Sequence, residues 1–151
     1  MLTAITHSAI FVTDQDEALD FYVGKLGLEV AQDIDMGFMR WLTVRVPGQP
    51  EREILLEVPG PPAVDEATGD VVRELLAKGG LGLGFIITVD DCRKSYEELK
   101  AKGVEFTQEP VDRFYGVDVG IRDPFGNNLR MTEPVQGPME IPTPGEEPSY
   151  S

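Results

Sequence analysis

The sequence predicts an α+β fold made of two tandem βαβββ modules. The first observation behind this is an internal repeat. His7 is followed after seven positions by Asp14, then by a helical stretch, then by Gly27-Leu-Glu-Val30; Gly84 is followed after seven positions by Asp91, then by a helical stretch, then by Gly103-Val-Glu-Phe106. The second is that each helical stretch is succeeded by short apolar runs of strand length, separated by Gly, Pro and Asp turn residues. The third is size. With 151 residues, 41% of them hydrophobic and 26% charged, the chain suits one domain that buries roughly 68–70% of its unfolded surface.

In the first copy, Thr3–Val12 reads as a strand. Asp14 is an N-cap with Glu17 three residues on, a capping pattern that starts a helix over Asp16–Gly24. That helix turns Leu19, Phe21, Tyr22 and Leu26 toward a core. Strands follow near Leu28–Ile34, Phe38–Val46 and Arg52–Val58. The run Val58-Pro-Gly-Pro-Pro-Ala63 then stops the chain from pairing, because proline supplies no ladder hydrogen bond. Asp65 to Lys78 has a helical tendency with Val71, Val72, Leu75 and Leu76 on one stripe, ended by Gly79-Gly80. In the second copy, Leu83–Val89 is a strand, Cys92–Lys102 a helix ended by Gly103, and Glu105–Thr107, Gly116–Arg122 and Asn128–Glu133 are strands. Asp123-Pro-Phe-Gly126 is a turn: Pro presets φ and Gly tolerates positive φ. Phe21, Tyr22 and Phe106 are assigned to the core.

The domain thus spans residues 1–134, with module one at 3–58, a linker at 59–80 and module two at 81–134; residues 135–151 form a Pro-rich, acidic C-terminal tail. A βαβββ unit leaves one sheet face bare after its helix covers the other. Two such sheets can enclose a concave surface suited to a ligand.

Charge narrows the partners. Thirteen Lys and Arg stand against twenty-seven Asp and Glu, a net charge of −14. A nucleic acid or an anionic membrane surface needs clustered basic residues, so both are excluded as partners. The excess is compatible with a cationic ligand or with solubility alone. One cysteine, Cys92, rules out an internal disulfide, and one histidine, His7, rules out a multi-His metal site within a chain. No apolar run reaches the length of a spanning helix and no signal peptide is visible, so a cytoplasmic location is expected.

The repeat, the Asp14…Phe21-Tyr22…Leu26-Gly27 segment and the Asp123-Pro-Phe-Gly-Asn127 turn resemble the vicinal oxygen chelate superfamily, which includes glyoxalase I, bleomycin-resistance proteins, fosfomycin-resistance enzymes and extradiol dioxygenases. The resemblance covers about residues 3–134. It implies a glyoxalase-like barrel or cup, a homodimer, and in the enzymes a divalent metal held at four positions. Those positions fall here on His7, Glu57, Gly84 and Arg130. Two of them depart from the pattern. Gly84 has no side-chain donor, and Arg130 is a permanent cation without an acceptor. His7 and Glu57 supply two ligands where at least three are needed. No cofactor is therefore expected, and Arg130 is expected to approach Glu57 in place of a metal.

The candidate ligand-binding residues are His7, Phe38, Trp41, Glu57, Phe114, Tyr115 and Arg130. Each has a structural alternative: a hydrogen-bonded histidine at a strand start, a solvated carboxylate, a surface arginine, or an aromatic in the core. Glu57 shares a strand face with Glu53 and Leu55, and Arg130 shares one with Asn128 and Thr132 while Leu129 and Met131 face the helix. The aromatics sit beside the third strand of each module, where rings in drug-binding relatives sandwich planar ligands. The run Gly79–Gly84 lacks a phosphate-loop ending, and Cys92 reads as an ordinary helix residue.

These readings point to a non-catalytic protein that binds an aromatic or amphiphilic small molecule, as bleomycin-resistance proteins bind an antibiotic. Two alternatives stand beside it. One is a metal-dependent glyoxalase, lyase or dioxygenase recruiting a further ligand from Glu53, Asn128 or Thr132; the other is a metal-free enzyme with His7 or Glu57 as base.

Overall fold

The computed structural model describes residues 1–146. Residues 147–151, the end of the expected tail, lie outside the described residues. In chain order the elements are β1 (His7–Phe11), α1 (Gln15–Tyr22), β2 (Glu29–Asp35), β3 (Arg40–Arg45), β4 (Glu53–Glu57), α2 (Glu66–Ala77), β5 (Leu83–Thr88), α3 (Cys92–Ala101), β6 (Glu105–Phe106), β7 (Val111–Arg113), β8 (Gly116–Arg122) and β9 (Asn128–Pro134). This is the expected α+β class, with a βαβββ order in each half. The second half adds β7, a strand absent from the expectation because Val111-Asp-Arg113 is too short and too polar to carry a period. The first strand is shorter than the predicted Thr3–Val12.

The chain forms two compact units: Met1–Gly84 with Asp123–Asn127, and Phe85–Arg122 with Asn128–Ser151. In the first, four strands lie in the order β1-β4-β3-β2. β1 runs parallel to β4 with His7 opposite Glu53 and Phe11 opposite Glu57. β2 and β4 flank β3 antiparallel. Alternation puts Ile10, Leu42, Val44 and Leu56 on one face, and all four are buried. α1 packs on that side against β4 and adds Ala18, Phe21 and Tyr22 to the core. Its start is set as the sequence implies: the Asp14 carboxylate accepts from the backbone N–H of Glu17 at 2.9 Å. α2 is capped the same way by Asp65 on Thr68. Only Gly69 and Leu76 of α2 are buried, and Val71 is 55% exposed, so the predicted apolar stripe is narrower than its four residues.

The turn 123–127 belongs to this first unit, and the reason is a single carboxylate. Asp123 Oδ1 accepts from the backbone N–H groups of Phe125, Gly126 and Asn127 at 2.7–3.0 Å. Its Oδ2 accepts from the Tyr22 hydroxyl at 2.6 Å and from Asn127 Nδ2 at 2.7 Å. Asn127 Nδ2 also donates to the Phe11 carbonyl at 2.6 Å. Five donors thus satisfy the buried acid. Burial, followed by the Asp123 charge, pushes the Tyr22 phenol far above its ordinary value, so Tyr22 is a permanent donor.

In the second unit the order is β5-β9-β8-β6, with β7 also paired to β8. Val119, Ile121, Leu129 and Met131 are buried on the face that α3 covers with Cys92 and Tyr96. Asp118, Gly120 and Arg122 pair with Thr132, Arg130 and Asn128 across β8–β9 and occupy the opposite face, the side expected for Arg130. Phe106, assigned to the core, is half-buried and stacks edge-on against Tyr96.

Candidate functional site

In the first unit, the sheet face away from α1 carries His7 on β1, Glu53 and Glu57 on β4, Trp41 and Thr43 on β3 and Gln32 on β2. The parallel register decides His7's neighbour. It is Glu53, not Glu57: His7 Nε2 lies 3.6 Å from Glu53 Oε1, while Glu57 is four residues further along the strand, roughly 13 Å of rise. Glu53 is fixed by Thr43, a fully buried residue whose hydroxyl donates to Oε1 at 2.6 Å. The other ring nitrogen of His7 is 2.8 Å from the Thr6 hydroxyl. Trp41 stands beside His7, ring centroids 6.0 Å apart, and its indole N–H donates to Gln32 Oε1 at 2.9 Å. The half-buried indole therefore has its polar edge satisfied and its faces left for contact.

Phe38 and Glu57 belong to a different feature of the same unit. Phe38 lies in the β2–β3 turn, not on the predicted strand, and is 71% exposed. Both residues border a cavity of about 200 Å³ with Gln15, Met39 and Pro61. Gln15 Nε2 fixes one wall by donating to the Arg40 and Leu56 carbonyls at 3.1 and 3.0 Å.

In the second unit, Arg130 is organised by Asp118. Its Nε donates to Asp118 Oδ2 at 2.8 Å, and its Nη2 reaches the same oxygen. Tyr115 donates its hydroxyl to that carboxylate at 2.8 Å and Thr132 to its other oxygen at 3.1 Å. Burial alone would raise the Asp118 carboxyl; the hydrogen bonds from Arg130 and Tyr115 outweigh it and hold the group below the usual carboxylate range. Phe114 packs edge-on against Tyr115 at 5.2 Å. The sequence-based expectation gave Arg130 to Glu57; the partner found on the neighbouring strand is Asp118. Gly84 lies within β5.

The sequence offers Glu53 only as a substitute ligand and does not mark Thr43, Gln32 or Asp118. The available signal was alternation: Asp118 and Gly120 interrupt the apolar run Val117–Ile121 on the side shared with Arg130 and Thr132.

The four positions where a divalent metal would be held do not suit one. Gly84 offers no side chain, Arg130 presents a guanidinium held by a buried acid, and His7 lies beside Glu53 while Glu57 lies further along β4. Among the described residues, no three His, Cys, Asp or Glu side chains group so as to hold an ion.

The profile of the Glyoxalase/Bleomycin resistance protein/Dioxygenase superfamily matches residues 4–131. The chain belongs to this superfamily. Within it, the chain is 39% identical over 126 residues to the protein YurT of Bacillus subtilis (strain 168), covering 83% of this chain and 94% of YurT. The crystal structure of UcmS2 superposes with a TM-score of 0.83 at 41% identity, covering 88% of this chain and 99% of UcmS2. TnmS3, an antibiotic binding protein from Streptomyces sp. CB03234, superposes with a TM-score of 0.70 at 24% identity over 89% of this chain and 98% of its own. That last likeness is one of fold. Superfamily membership leaves the reaction, or its absence, to be argued from the site.

Proposed function

We propose that this chain is a non-catalytic, metal-free binder of planar aromatic or amphiphilic small molecules, antibiotics among them, and that it acts as a cytoplasmic homodimer. The observation that carries the reading is Trp41, whose ring is held at its N–H edge by Gln32 and flanked by His7, while Thr43 and Glu53 steady that histidine. Such a wall is rigid before the ligand arrives, which lowers the ordering cost of stacking. Arg130, held by Asp118 with Tyr115 and Phe114 beside it, offers a planar cation and a ring pair for contact. The relative TnmS3, named for antibiotic binding, adds support at the level of fold.

The pairing of His7 with Glu53 favours one further reading, a metal-free enzyme in which His7 is the general base and a carboxylate orients it. One experiment separates the two. Trp41 is the only tryptophan, so its fluorescence reports contact directly. Titration with a panel of planar aromatic antibiotics should quench it saturably, with the compound recovered unchanged and the curve unaffected by chelator. Trp41→Ala, which removes the fluorophore and is therefore followed by calorimetry, should weaken binding roughly tenfold or more. Conversion of the compound would establish the enzyme reading, and loss of binding with chelator would refute the metal-free one.

A further inference from the structure

The cavity beside the β2–β3 turn is separate in character from the Trp41 face. Phe38, Met39, Val58, Pro61 and Pro62 form its apolar walls, and Gln15, Arg40 and Glu57 its polar ones. Gln15 and Arg40 are engaged elsewhere, whereas the Glu57 carboxylate has no hydrogen-bond or ion-pair partner among the described residues. A half-buried carboxylate beside proline rings and an aromatic face is costly to leave without a counter-charge. The Phe38 ring is 71% exposed at a turn apex, and Ile34 and Met36, at 45% and 46%, extend the apolar surface around it.

The cation nearest by sequence does not neutralise Glu57. Arg40 spends its guanidinium on two other acids, with Nε 2.8 Å from Asp33 Oδ1, Nη2 2.9 Å from Asp33 Oδ2 and Nη1 2.8 Å from Asp16 Oδ1. Those bonds, from Asp33 first and Asp16 second, push the guanidinium still further above its ordinary value. A second recess of about 460 Å³ shares Phe38, Met39 and Arg40 and is bordered by Asp33 and Asp35. Around the two recesses, Asp16 of α1 and Asp33 of β2 are paired with Arg40, which leaves Asp35 of β2 and Glu57 of β4 without a guanidinium of their own among the described residues.

The geometry points to a binding site for an organic ammonium group, with Glu57 as counter-ion, Phe38 supplying the cation–π face, and Met39, Val58 and the two prolines taking its alkyl substituents. The cavity admits a head group of a few carbons around nitrogen rather than a whole drug-sized molecule. A quaternary or tertiary ammonium suits it better than a bare metal ion or a primary amine, because the walls bury methyl groups and one carboxylate supplies the charge. The site does not depend on the Trp41 reading: it would take a cationic arm of an amphiphile whether or not an aromatic body stacks elsewhere.

The test uses benzyltrimethylammonium as probe and neopentylbenzene, its uncharged isostere, as control, followed by calorimetry and by methyl NMR of Met39 in the full chain. The expected result is saturable 1:1 binding of the cation that shifts the Met39 methyl, weakens as salt is raised, and is weakened roughly tenfold by Glu57→Gln and severalfold by Phe38→Leu. Trp41→Ala should leave that binding unchanged, which keeps failure of this site distinguishable from failure of the aromatic-binding reading. Equal affinity for the uncharged isostere, full binding by Glu57→Gln, or a response abolished by Trp41→Ala would each overturn the proposal. Circular dichroism of the variants guards against loss through misfolding, since Glu57→Gln keeps size and shape at a strand end.

Discussion

Asp118 shows how much one side chain can organise. It is buried on a strand between two valines, yet it receives donors from Arg130, Tyr115 and Thr132. Replacing it by Asn keeps the shape and removes the negative charge to which the partly buried Arg130 guanidinium is bonded. Such a break costs about 3 kcal/mol, so urea denaturation at neutral pH should show Asp118→Asn less stable by that order. The pH dependence has a definite sign. The folded carboxyl titrates below its unfolded value of about 3.9, so its contribution is complete above that pH and is lost as pH falls toward the folded value. The gap between wild type and variant should therefore narrow when the measurement is repeated near pH 3. An equal gap at both pH values would mean that the charge of Asp118 is not what stabilises the cluster. At the same scale, the sequence singles out His7, Trp41 and Arg130 but does not name Asp118 as the carboxylate bonded to Arg130, nor Glu53 as the one beside His7. A carboxylate's reach is set by strand register, and register depends on pairing between segments dozens of residues apart. Glu57 matched the motif position, while Glu53 is what the ladder sets beside His7.

Among the elements, the turns differ sharply in what they tolerate. Gly126 has φ of 115°, and a methyl on it would collide with the Leu76 carbonyl oxygen, backbone that cannot step aside. Gly120 lies in the β8 strand at an ordinary φ, and its methyl would meet chiefly the Thr107 hydroxyl, which a rotamer change can move. Thermal denaturation should find Gly126→Ala destabilised by more than about 3 kcal/mol and Gly120→Ala by about 1 kcal/mol or less. Similar losses in both would contradict the distinction between backbone and side-chain obstruction. The repeat, the helix cap at Asp14 and most strands are legible because caps and period-two alternation are local, and the caps at Asp65 and Asp91 follow the same local rule. β7 and the exposure of Val71 were not: the first is created by its partner β8, and the second by how much of α2 its surroundings cover.

For the molecule as a whole, the sheet edges bear on assembly. β1 is an edge strand of the first sheet and β5 of the second, and Leu83 and Ile86 on β5 are 53% and 58% exposed. An edge strand that carries exposed apolar side chains, as β5 does, offers a surface to a second copy of the chain, which supports the proposed homodimer. Sedimentation equilibrium should return twice the chain mass, and Ile86→Lys should shift it toward one chain; a single-chain mass for the native protein would remove the dimer. No helix among the described residues is long and apolar enough to cross a membrane. The net charge of −14 acquires a location here, since part of it gathers around Phe38. The Asp123 turn has a wider consequence. It is coded in the second half of the chain but completes the hydrogen bonding of Tyr22 and Phe11 in the first unit. The repeated halves are consequently not separable: a gene fragment ending at Gly84 would lack the buried Asp123, Phe125, Gly126 and Asn127 of its own unit, and recombination that exchanged one half between homologues would have to keep Tyr22 and Asp123 matched.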